Sequence, residues 1–396
     1  MQNRRSSASL ASLSDQTRRK FLGVAGATVL GAIAGEKLLL AAETGKSTKS
    51  TTHPLSDATD QANYAHGGVC AIFAFDPNAD AEKFAASCRE WGIRQAILPP
   101  GFFRDDKMVR ALAKNSLGVW LNLPVFYNRE YLEQHPNDYA ITSKGNKAIH
   151  DWCHFVCPSR EEYLDKFVGD LRVLLSRLQP EIVSLDFIRH YVFWEAVDLL
   201  GNPGDIEDGC YCEVCLDAFE KFSGEKIGRN QPAARIRSNM KRAWGDWKCN
   251  RIAGTADRLF EEIRAGAKHA QYSIKTVPWK ESDLDGAIRS SAGQDVARLT
   301  RNVDMSAPMA FTQVLGQTPA WKRQLLEYVR QISGKPVLSY LQTDRLIRPE
   351  EITIAQFEAE LKESLSKEWA GIVVFEYGQL VANPAKARIL TKYLRG

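Results

Sequence analysis

EIVSLDFIR, residues 181–189, is the stretch on which the fold turns. It is short, strongly apolar and ends on an acid, Asp186, with Arg189 and His190 just beyond. Seven more runs of this kind punctuate the chain. GGVCAIFAF (67–75), IRQAILPP (93–100) and GVWLNLPVF (118–126) precede it, and YSIKTVPW (272–279), VDMSAPMAF (303–311), KPVLSYLQ (335–342) and GIVVFEYG (371–378) follow. Helix-like segments lie between them. Ser159 to Leu178 opens on Ser-Arg-Glu-Glu, a capping-box pattern. Residues 233–270 form a long amphipathic segment, and Pro319 to Ile332, Pro349 to Trp369 and Pro384 to Leu394 each sit near a proline suited to a first helical turn. Strands alternating with helices specify a parallel sheet, and eight such units close into a (β/α)8 TIM barrel. An open doubly wound sheet needs fewer strands, and no glycine fingerprint follows the first run. The longest insertion, residues 190–271, comes after the fourth strand. In a barrel the chemistry is built at the C-terminal strand ends and in the loops that follow them.

The N-terminus reads differently. Thr17-Arg18-Arg19-Lys20-Phe21-Leu22 resembles the twin-arginine export motif, and small and apolar residues run from Phe21 to Ala34. That run falls short of the roughly 20 residues needed to span a bilayer and fits a secretory signal. Residues 1–42 are therefore expected to be a twin-arginine signal peptide, residues 43–65 a Ser/Thr-rich linker, and residues 66–396 the barrel. The motif implies passage through the twin-arginine translocase, hence a periplasmic or extracellular protein; an uncleaved signal would instead leave it membrane-anchored. Residues 1–42 hold six Lys or Arg and two Asp or Glu, so the rest of the chain has 46 of each and no formal net charge. Net charge thus gives no case for nucleic-acid binding.

CYCEVC, residues 210–215, places three of the eight cysteines within six positions. Cysteines so close pair poorly with one another, because disulfide geometry is demanding. Thiolates converging on one tetrahedral ion meet no such restriction. A fourth ligand is available in Cys157, at the end of the loop after the third strand, with Cys153 in reserve. Disulfides stay open as the alternative, since an oxidising compartment permits them. The CPS at 157–159, a helix, a fourth strand ending in an acid, and then CYCEVCLDAFEKF together resemble the glycoside hydrolase family 42 β-galactosidases. They resemble still more a group of uncharacterised barrel proteins regarded as glycosyl hydrolases. The resemblance implies a structural zinc held by Cys157, Cys210, Cys212 and Cys215. Over residues 150–225 the likeness lies in motifs; elsewhere it is one of strand pattern.

Glycoside hydrolysis needs two carboxyl groups, one to protonate the leaving oxygen and one to attack the anomeric carbon or activate water. Asp186 is the first candidate, with Arg189 and His190 near enough in sequence to hold it ionised. Glu376, at the end of the eighth strand, is the second and is assigned the proton-donor role. Glu281, Asp283, Asp304, Glu195 and Asp344 compete. The chain departs from the β-galactosidases in lacking their Asn-Glu pair on the fourth strand and a nucleophilic Glu on the seventh, so their specificity does not carry over. Gln294 and Asp295, in GQD, read as a helix N-terminus. Aromatic residues at the strand ends, among them Tyr191, Trp194, Trp279, Tyr340 and Tyr377, suit the C–H faces of a carbohydrate. With Arg189 and His190 they form the expected substrate-binding set. Two rivals stand beside hydrolysis: a non-catalytic carbohydrate-binding barrel, and a metal-dependent sugar isomerase or lyase.

Overall fold

The computed structural model describes residues 68–150 and 152–396. The signal and the linker lie outside the described residues.

All eight expected strands are present: β1 (Val69–Phe73), β2 (Gln95–Leu98), β3 (Gly118–Pro124), β4 (Ile182–Asp186), β5 (Gln271–Thr276), β6 (Met305–Pro308), β7 (Leu338–Gln342) and β8 (Gly371–Phe375). They pair in the order β6-β5-β4-β3-β2-β1-β8-β7, all in parallel. The two outer strands meet through one bridge, Ser306 to Val337, where the Ser306 N–H donates to the Pro336 carbonyl at 2.9 Å. The sheet is thereby a nearly closed (β/α)8 barrel. Gly371 is required where β8 joins β1, since a Cβ there would lie 2.0 Å from the Val69 carbonyl oxygen.

Side chains alternate between two cores, as the pleat dictates. Cys70, Ile72, Val119, Leu121, Val183, Leu185, Ile274, Leu341, Ile372 and Val374 pack outward under the helices. Ala71, Phe73, Ile97, Trp120, Ile182, Leu338, Tyr340 and Val373 belong to the other core, which runs through the barrel interior. The same alternation turns Asn122, Ser184, Asp186, Ser273, Lys275 and Gln342 inward. The interior is therefore polar on the side of β3 to β5 and aromatic around Phe73 and Tyr340.

Helices Pro319–Ser333 and Pro384–Arg395 carry proline in the first turn, with Thr318 and Asn383 as caps. The helix expected from Pro349 begins instead at Ile354, where Thr353 and Gln356 form a reciprocal capping box. The segment 233–270 breaks at Met240 into Pro232–Asn239 and Lys241–Gly266. Ser159 does not cap its helix, Glu161–Leu175; its hydroxyl accepts from the Cys215 thiol at 3.3 Å.

Candidate active site and cysteine centre

At the C-terminal end of β4 the Asp186 carboxylate stands inside the barrel, 7% exposed. The sequence suggested Arg189 and His190 as the groups holding it. The structure brings two other residues. Lys275 of β5 donates to Oδ2 at 3.0 Å, and Asn122 of β3 donates to the same oxygen at 3.2 Å. Oδ1 accepts the Phe187 N–H at 2.8 Å. The Asn122 side-chain oxygen accepts from Lys275 at 2.6 Å and from the Ser184 hydroxyl at 2.9 Å. Lys275 lies 3.9 Å from the centroid of the Phe73 ring. Burial pushes its ammonium down to about 8, against the pull of the Asp186 charge. Lys275 and Asn122 escaped the sequence reading. Their one signal is a polar residue breaking an apolar strand, in YSIKTV and GVWLNLP.

Phe187, next to Asp186, has φ +49°, a left-handed conformation that is costly for a bulky residue. Such strain persists where surrounding structure enforces it and clusters at functional sites. Its ring lies 5.0 Å from Tyr127 and 5.9 Å from Trp152. Trp152 in turn meets Phe193 at 6.1 Å, and exposed His150 stacks on Phe193 at 4.0 Å. A second aromatic group is built by Phe73, Phe75, Phe311, Phe375 and Tyr340, with centroids 4.9–5.6 Å apart. Among the expected binding aromatics, Tyr340 belongs to this group, and Trp194 stacks on Phe311 at 6.3 Å. Both are almost fully buried, as is Trp279, and the Tyr340 hydroxyl and the indole N–H groups of Trp194 and Trp279 lack a partner. Tyr191 is buried against Phe155. Tyr377 packs on Phe84 and Trp91 of the first helix. His190 is wholly buried against Trp247, and burial, with the Lys248 and Arg251 charges, keeps its imidazole neutral. Arg189 is buried against the neighbouring rings of Phe155 and Phe187, whose centroids are 6.0 Å apart.

The carboxyl groups differ in their surroundings. Both oxygens of Glu376 are engaged at the start of a short helix, Oε2 by the Gly378 N–H at 2.9 Å and Oε1 by the Gln379 N–H at 2.8 Å. Glu376 and Asp186 stand on β8 and β4, four places apart in the strand order. Glu195, in the turn after β4, has Oε2 shielded and without a partner. Burial, opposed by the Arg189 guanidinium, pushes its carboxyl up to about 7, and the Asp186 charge acts in the same direction as burial. Gln294 fastens the loops behind these groups: it accepts from the Val277 N–H and donates to the carbonyls of Ile188 and Lys275. Asp295 caps the helix Val296–Leu299.

The four cysteines converge. The sulfurs of Cys157, Cys210, Cys212 and Cys215 all lie within 4.8 Å of one another. Cys157 stands 3.5 Å from Cys212 and 3.4 Å from Cys215. These are not bonded sulfurs, which sit ~2.05 Å apart. Four thiolates at ~2.3 Å from one ion would be separated by about 3.8 Å, close to the spacing found. The Ile141 and Ser159 N–H groups donate to Cys210 and Cys157, and Arg251 holds the Pro158 carbonyl at 2.9 Å. The donor set and its surroundings fit a metal ion. Cys153 is buried outside the group.

Among solved structures the fold is similar to that of glycoside hydrolases. A β-galactosidase from the psychrophilic Marinomonas ef1 superposes with TM-score 0.60 at 12% identity, over 82% of this chain and 58% of that one. The glycoside hydrolase domain of PgaB (BpsB) from Bordetella bronchiseptica gives 0.59 at 13% identity, over 83% and 98%. A catalytic mutant of Gan42B, a GH42 β-galactosidase from G. stearothermophilus, gives 0.58 at 10%, over 84% and 57%. The chain thus spans little more than half the length of these β-galactosidases, and the likeness is one of fold. No family model and no curated protein matches the sequence.

Proposed function

We propose that this chain is an exported glycoside hydrolase that cleaves glycosidic bonds at the C-terminal mouth of its barrel. The observation that carries the reading is Asp186: an inward carboxylate at the end of β4, held by Lys275, Asn122 and the strained Phe187 turn, with the Phe73 ring against Lys275. The Lys275 ammonium stands 3.0 Å from the carboxylate oxygen, a pairing that suits a nucleophile or base. The proton donor must hold its proton near neutrality. Glu195, pushed up to about 7 by burial, suits that task better than Glu376, whose two oxygens serve as a helix cap. Two carboxyl groups with opposed environments are what acid–base division of labour demands. Glu195 would give its proton to the leaving oxygen while Asp186 attacks the anomeric carbon or takes a proton from water. The cysteine centre would hold zinc in a closed, structural site that braces the loops without activating water. Export through the twin-arginine translocase is part of the same proposal.

A non-catalytic carbohydrate-binding barrel is the second reading, favoured by the full engagement of Asp186 by its three donors. A metal-dependent isomerase has less support, because the one grouping of three or more metal-ligand side chains among the described residues is the cysteine centre. The test is a screen of nitrophenyl glycosides and oligosaccharides with protein lacking residues 1–42, beside Asp186→Asn and Glu195→Gln. Turnover lost in both variants supports the hydrolase. Sugar binding without turnover in all three proteins moves the assignment to the binding module.

A further inference from the structure

The segment leaving β4 carries a charge with no hydrogen-bonded partner among the described residues. Arg189 is 2% exposed. Its guanidinium lies 5.2 Å from the Phe155 ring centroid and 4.9 Å from that of Phe187. Its charge is also felt by the side chains of Glu195 and Cys153. No acceptor among the described residues takes a hydrogen bond from it, none of their carboxylates pairs with it, and its Nε is shut off from solvent. A buried cation is ordinarily matched by a hydrogen-bonded counter-charge. Glu195 is electrostatically coupled to both Arg189 and Asp186, yet its Oε2 is also shielded and unpartnered. Asp186 is already neutralised by Lys275. When Glu195 holds the proton that the proposed acid role requires, the surplus positive charge of this part of the mouth resides on Arg189.

We propose that Arg189 receives an oxyanion carried by the substrate, a carboxylate or a sulfate on a sugar ring bound beside Asp186. The substrate class is thereby an acidic saccharide, an inference that rests on the reading of the mouth as a carbohydrate site. The chemistry suits the group. A guanidinium offers a planar fork that meets carboxylate or sulfate through two parallel hydrogen bonds. Two adjoining rings, 6.0 Å apart, back the guanidinium on one side, and one of them belongs to Phe187, whose left-handed backbone sets where it points. A neutral sugar would leave the Arg189 charge buried and unmatched, whereas an oxyanion supplies the missing partner at the moment of binding.

The test is calorimetric titration of the double variant Asp186→Asn with Lys275→Met, so that binding is read without turnover and without a second unmatched cation. The probes are tetragalacturonate, its carboxyl-reduced neutral counterpart, and an O-sulfated carrageenan tetrasaccharide. The expected result is that one or both anionic probes bind about tenfold or more tighter than the neutral one. Arg189→Gln should abolish that preference and Arg189→Lys recover part of it; which anionic probe binds separates carboxylate from sulfate. Melting of Arg189→Gln should show an unchanged or raised Tm, because a buried unpaired charge has been removed. Equal affinity for neutral and anionic probes overturns the proposal, as does no binding of either anionic probe at about millimolar concentration. A lowered Tm in Arg189→Gln that Glu195→Gln restores also overturns it, since the two residues would then be an internal ion pair. The hydrolase reading fails separately. Anion binding without turnover of any substrate by the unmutated protein leaves this inference standing and removes catalysis. Turnover of a neutral glycoside unaffected by Arg189→Gln does the reverse.

Discussion

Replacing Lys275 with methionine isolates the interaction on which the Asp186 assignment depends. Methionine keeps the length of the side chain and its contact with Phe73 while removing the ammonium. The Asp186 carboxylate then retains the Phe187 N–H at 2.8 Å and the longer Asn122 contact at 3.2 Å. At 7% exposure it has little water to replace the lost donor. Breaking one side of a buried ion pair in this way costs about 3–5 kcal/mol. The described barrel has about 330 residues, and an unfolding entropy of about 2.1 cal/mol/K per residue converts that loss to a fall in Tm of roughly 4–7 °C. Asp186→Asn should cost a similar amount, for it strands the ammonium beside Asn122 alone. The double variant should return to within about 1 kcal/mol of the starting protein, because a buried pair replaced as a whole is close to neutral. Urea unfolding at pH 7, followed by circular dichroism, closes the cycle. A coupling energy of about 3 kcal/mol or more is expected, and additivity within about 0.5 kcal/mol would refute the pair and with it the ionised base.

Three other outcomes follow from named contacts. Purified protein should carry about one equivalent of zinc by metal analysis, lost in Cys212→Ser along with several degrees of Tm but with the barrel's far-ultraviolet signal intact; full stability and no metal in the unmutated protein would argue for a thiol cluster. Glu376→Gln should lower stability by about 1–2 kcal/mol through the weakened helix cap while sparing any turnover; the opposite pattern would return the proton-donor role to Glu376. Glu195 supplies a pH signature. Its carboxyl titrates near 7 when folded and near 4.5 when free, so the native state binds the extra proton between these values and stability falls as pH rises through that window. Glu195→Gln should lose this component, and a difference between the two proteins that stays flat from about pH 4.5 to 7 would show Glu195 to be solvated.

Strand positions were legible because each is a short apolar run bounded by turn residues, and in a parallel barrel such runs have little choice of partner. The cysteine grouping was legible from spacing, because Cys157 falls in the loop beside the one bearing Cys210, Cys212 and Cys215. What escaped was the partner of Asp186. Sequence proximity pointed to Arg189 and His190, but a chain leaving a strand turns its next residues into the loop, and Asp186 instead meets the inward side chains of neighbouring strands. Lys275 is 89 residues away along the chain and Asn122 is 64. Only the register of β3 against β4 and of β4 against β5 brings them together. The surroundings of Glu376 were hidden for a related reason. A carboxylate at a strand end looks the same in sequence whether it faces the mouth or turns back to cap the helix that follows.

The cysteine centre acts on the mouth through position. Cys157 closes the loop after β3, and Cys210 to Cys215 lie in the insertion after β4, so their convergence ties the two loops at one point. Other bonds extend the tie. The Tyr211 N–H donates to the Ile141 carbonyl at 2.8 Å and that of Ser143 to the Asp208 carbonyl at 2.7 Å. Buried Lys248 pairs with Asp208 at 3.0 Å and also donates to the carbonyls of Gly209 and Ser291, which draws in the loop after β5. Gln294 completes the circuit by binding the Ile188 and Lys275 carbonyls. Asp186, Arg189, Glu195 and Lys275 therefore stand on or beside a body of three loops cross-linked by sulfurs, a buried ion pair and one amide. A site held to within a fraction of an ångström needs such support, because a misplaced acid or base loses rate far faster than it loses stability. The loops after β7 and β8 are joined to each other through the Thr343 hydroxyl, which donates to the Phe375 carbonyl and Gln379. The proposed chemistry sits on the side of the mouth where the cysteine centre acts, so if the four cysteines hold zinc as proposed, its removal should disturb ligand affinity at Arg189 before it disturbs the barrel.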